Sequence, residues 1–63
     1  MRYTEFWARM DEVLGAKARS WAAMVVMPEL GSRTVVEALD AGLSPKEVWS
    51  AVWQTLQLPE KYR

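Results

Sequence analysis

The chain has no cysteine and no histidine. The first absence excludes a disulfide framework, a thiol nucleophile, an iron–sulfur centre and every thiolate zinc site. The second removes the commonest general base and the commonest transition-metal ligand. Net charge is missing too: eight basic side chains balance eight acidic ones, a formal +0 over 63 residues. That balance argues against strong electrostatic attraction to nucleic acid or anionic lipid. The longest apolar run, Trp21 to Met27, is far short of the ~20 residues a membrane-spanning helix requires. Charges interrupt the first residues every few positions, so no secretory h-region is expected there. No lipidation motif is read in the last four residues, Glu60 to Arg63. A cytoplasmic chain without membrane contact is the expectation.

What is present is apolar and aromatic. Hydrophobic residues make up 51% of the chain, including four Trp, four Met, two Tyr and one Phe. A buried aromatic removes about 150–250 Å² from water, so a core can form without a staple. Disorder would need low hydrophobicity and high net charge, and neither applies. The length predicts one helical domain over residues 1–63. Homodimerisation is the other route by which so small a domain can gain stability.

Periodicity and capping predict four short helices in a compact all-α bundle, over about 4–14, 16–27, 35–41 and 45–57. In the first, Phe6, Trp7, Met10, Val13 and Leu14 repeat at helical spacing. Thr4 is the candidate N-cap and Gly15 the stop. The second is apolar on all sides from Trp21 to Met27. A helix of that kind is central in its domain, so Trp21 and Val25 are expected to be buried, with Met24 and Met27 as core filler. Pro28 restricts Met27 and should end the element. Thr34-Val35-Val36-Glu37 and Ser44-Pro45-Lys46-Glu47 are both capping boxes, the second with proline at the first helical position.

No catalytic constellation emerges. Glu37 and Asp40 share a helix face, but the capping box accounts for Glu37, and Asp40 reads as solvated. Ser20, Ser32 and Ser44 have no histidine to activate them. There is no glycine-rich phosphate loop and no G-x-S-x-G elbow. The chain is therefore expected not to be an enzyme, with no catalytic residues, no cofactor and no metal.

Thr34 to Trp53 forms a helix-turn-helix-like hairpin. Ala38, Gly42, Leu43, Val48 and Ala51 fall at its small, glycine and apolar slots. Glu37 occupies a slot that is normally apolar, and Lys46 is the one base on the second helix. Phosphate contacts from Arg and Lys dominate DNA affinity, so nucleic-acid binding is the alternative rather than the leading reading. Among the aromatics, Trp21 reads as core. Trp7 and Trp53 lie at the edges of apolar arcs, which fits either a widened core or interface anchors. The leading expectation is a small non-enzymatic interaction module for an unidentified protein partner. Its candidate surface is Trp49 and Trp53 with Lys46 and Arg33 at the rim.

Three blocks of residues resemble a known family. They are MRYTEFWARM at residues 1–10, Ser20-Trp21-Ala22, and ELGSRTVVEALDAGLSPKEVWSAVW from Glu29 to Trp53, followed by Leu58-Pro59. The chain is similar over its whole length to the short actinobacterial family called domain of unknown function 3046. The family has no assigned activity, so the resemblance implies no catalytic residue. Its members are often encoded beside the recombinase RecA and its regulator RecX, which implies a link to recombination or repair.

Overall fold

The first helix begins one residue before Thr4, the candidate cap. In the computed structural model, which describes all of residues 1–63, α1 spans Tyr3–Leu14. Arg2 is its N-cap: its carbonyl accepts from the Phe6 N–H at 2.9 Å. Glu5, at the third helical position, accepts from the Arg2 backbone N–H at 3.3 Å. The carboxylate satisfies the cap's own donor, so no hydroxyl is needed at the cap. Gly15 then ends α1 with φ +60, and a 3-10 turn, Gly15–Lys17, leads into α2, Ala18–Met24.

α2 is shorter than its apolar run predicts, and it is not the hub of the fold. It has seven residues, and the chain is already extended at Val25 (φ −85, ψ 117) and Met27 (φ −118, ψ 124). Two β-branched residues and the restriction that Pro28 places on Met27 favour that conformation. The buried face of α2 consists of Ala18 and Ala22. Trp21 and Val25 are half-buried rather than buried, Ala23 is exposed, and Met24 and Val26 are 75% and 56% exposed. Of the two methionines expected as core filler, only Met27 serves as such. Small, fully buried residues, Ala18 and Ala22, let α2 lie close against α1 and α3.

A tight loop follows. The Met27 N–H donates to the Arg33 carbonyl at 3.0 Å, and the Met27 carbonyl accepts from Leu30 and Ser32. A 3-10 turn, Pro28–Leu30, fills the loop, and Gly31 (φ +72) and Ser32 (φ +59) turn it in the left-handed region. A Cβ on Gly31 would stand 3.1 Å from the Arg33 guanidinium.

α3, Val35–Asp40, carries the expected box: Glu37 N–H donates to Thr34 Oγ1 at 3.2 Å, and Thr34 N–H donates to Glu37 Oε1 at 2.9 Å. It ends in a Schellman motif, with Leu43 N–H on the Ala38 carbonyl and Gly42 N–H on the Leu39 carbonyl. α4, Pro45–Leu56, opens on Ser44, whose hydroxyl accepts from Glu47 N–H at 3.2 Å. The return contact differs from the expected box, because the Ser44 hydroxyl donates to the Glu47 carboxylate. A second Schellman motif closes α4, here with Gln57 at φ 54. The chain is all-α, with one isolated β-bridge, Met27–Arg33.

The core is shared by all four helices and the Met27–Leu30 loop. Phe6 sits at its centre, edge-on to Trp7 at 5.3 Å and to Trp49 at 6.1 Å between ring centroids. Met10, Val35, Val48 and Val52 surround it, fully buried. Glu60–Tyr62 forms a 3-10 turn that lays Leu58 and Tyr62 against this core.

Candidate interaction surface

Lys46, Trp49 and Trp53 are three and seven residues apart on α4, so they share one face. The last turn of the chain occupies much of that face. Trp49 is 2% exposed, and its Nε1–H donates to the Tyr62 carbonyl at 2.8 Å. It is a core residue, which corrects its expected place in a partner-facing surface. Trp53 is half-buried; its Nε1–H donates to the Pro59 carbonyl at 3.0 Å, and the Arg63 guanidinium lies 5.2 Å from its ring. Both indole donors are thus satisfied within the chain. The signal for this arrangement was present in Leu58, Pro59 and Tyr62, two apolar residues either side of a proline just past a helix end.

Arg33 is exposed and is not carried on α4. It lies in the loop before α3, where its Nη1 donates to the Leu30 carbonyl at 3.4 Å and its carbonyl holds Met27. Its visible role is to close the loop. Lys46 alone of the four expected site residues is exposed without an internal partner, since the molecule's one ion pair joins Arg63 to Glu60. Trp7 is half-buried beneath Arg19, whose guanidinium is 4.0 Å from the ring.

Two surface grooves flank the last turn. One, about 450 Å³, lies between Glu5 and Arg9 of α1, Lys46 and Ser50 of α4, and Arg63, with Met1 and the edge of Trp49 completing its wall. The other, about 310 Å³, is lined by Arg9, Glu12, Lys61 and Tyr62. Glu37 is committed to its cap, and no three Asp or Glu residues are grouped so as to hold a metal ion. No helix is long and apolar enough to cross a membrane.

The most exposed large apolar side chains, Met24 and Val26, lie elsewhere. Ala23, Met24, Val25 and Val26 are consecutive, and none of them is buried. Sequence reasoning placed this run in the core because it weighed hydrophobicity and not the early exit from the helix. In the α3–α4 hairpin, Ala38, Val48 and Ala51 are buried as the helix-turn-helix spacing requires, whereas Glu37 is exposed.

No curated protein and no solved structure matches the chain. The model of one family matches residues 1–61 of the 63. The extended similarity and the observed all-α fold lead to one conclusion: the chain belongs to the family described as protein of unknown function (DUF3046).

Proposed function

We propose that this domain is a small non-enzymatic interaction module of the cytoplasm that docks a protein partner through the last residues of α2 and the extended segment after it, Ala23 to Val26. One observation carries the reading: Ala23, Met24 and Val26 are exposed around the half-buried Val25, with Met24 at 75% and Val26 at 56% exposure. Scattered exposed apolar residues are ordinary. A run of three or four is a defect of a soluble surface unless it has a function. The gene neighbourhood implied by the family resemblance makes a recombination or repair protein the partner to seek.

Photo-crosslinking tests the reading. A benzophenone side chain placed at Val26 in cells should yield a discrete crosslinked species. The same group at Gln54, exposed on α4, should yield none or a weaker one. Crosslinking from Gln54 but not from Val26 would move the docking surface to α4.

A further inference from the structure

The groove between α1, α4 and the last turn draws its walls from separated stretches of chain, and this conceals their common charge. Arg9, Lys46 and Arg63 meet there with one acid, Glu5. The adjoining groove shares Arg9 and adds Lys61 and Glu12. Four of the eight basic residues of a neutral molecule therefore line one side of it. Part of this charge is already engaged. Arg9 donates to the Arg63 carbonyl at 3.2 Å and lies 5.8 Å from the Trp49 ring, and Arg63 meets Glu60 at 3.3 Å. Lys46 has no acid beside it within ion-pair distance.

The geometry points to this groove as a docking site for an acidic peptide segment of a protein partner, its carboxylates meeting Lys46, Arg9 and Arg63. Charge complementarity argues for an anionic occupant. The interspersed acids argue against a nucleic-acid backbone. A phosphate chain carries regularly repeated charge and would meet Glu5 and Glu12 as well as the bases, while a peptide can space its carboxylates between them. Met1, 38% exposed on the groove wall, gives the aliphatic parts of such a peptide an apolar contact. This site goes beyond the docking element proposed above, because residues 23–26 line neither groove.

Titration of the isotope-labelled domain with a short synthetic Glu-rich peptide, followed by NMR, tests the assignment. Shift changes should centre on Arg9, Lys46, Ser50 and the Trp49 indole. Raising the ionic strength from about 0.01 M to about 0.15 M, which shortens the Debye length from ~30 to ~8 Å, should weaken binding at least ~fivefold. Lys46→Glu should weaken it about fivefold to tenfold, as expected for reversing one rim charge. An acid in the first turn suits the helix dipole, so that variant should keep its fold. Lys46→Gln, with a smaller loss, serves as the second variant. An absence of shifts at low salt, an equal response to a Gln-for-Glu peptide, or shifts confined to residues 23–26 would overturn the assignment. So would tighter binding of a short DNA duplex, which would install the nucleic-acid reading.

Discussion

Trp49 and Trp53 are one turn apart on α4, and each donates its indole N–H to a carbonyl of the last turn, yet their energetic roles differ. Trp49 is buried and touches Phe6, and the Tyr62 carbonyl it satisfies is partly buried with it. Trp53 is half-exposed, so water can replace its bond to Pro59. A Phe substitution keeps an aromatic ring and deletes the donor. Trp49→Phe should cost about 1–3 kcal/mol, the penalty of an unsatisfied buried acceptor. Trp53→Phe should cost less than about 1 kcal/mol, because its acceptor stays in reach of solvent. Urea midpoints of the two variants check this, and equal shifts would mean that the last turn does not seal Trp49. Tryptophan identity is plain in a sequence, but its burial here is decided by residues 58–62, which lie past the end of the helix that carries it.

Helix ends were the most legible elements. Thr34, Ser44, Gly15, Gly42 and Pro45 act where short-range chemistry places them, because a cap depends on neighbours within four residues. The end of α4 follows the same geometry with an unexpected residue. Gln57 adopts φ 54 at a position where glycine is usual. The left-handed conformation costs a non-glycine residue about 1–2 kcal/mol, and glycine returns part of that by loosening the unfolded chain. Gln57→Gly should therefore raise stability by a net ~0.5–1 kcal/mol, read from thermal and urea unfolding. A lower midpoint would place an uncounted contact on the Gln57 side chain. α2 was misjudged for the opposite reason. Its all-round hydrophobicity suggested a central helix, but Val25, Val26 and Pro28 draw the chain out of the helix after Met24 and leave the apolar run outside. The grooves were illegible because Arg9, Lys46 and Arg63 lie far apart in sequence.

At the scale of the whole molecule nothing is left open by a loose fold. The radius of gyration is 10.4 Å, close to the ~10.6 Å of a compact chain of this length. The accessible surface is 4131 Å², against about 4100 Å² for a folded monomer of this mass. The exposed Ala23, Met24 and Val26 are thus features of a closed domain, whereas Trp49 and Trp53 on α4 are bonded to the chain's own last turn. The account's central claim is that the protein partner docks on the first of these and does not need the Trp53 side chain. The direct measurement is capture from native lysate by wild type, Met24→Ser/Val26→Ser and Trp53→Ala side by side, each shown folded by circular dichroism. The account predicts that the double variant loses the partner and that Trp53→Ala retains it at wild-type strength. Loss of the partner by Trp53→Ala, with full retention by the double variant, would contradict it.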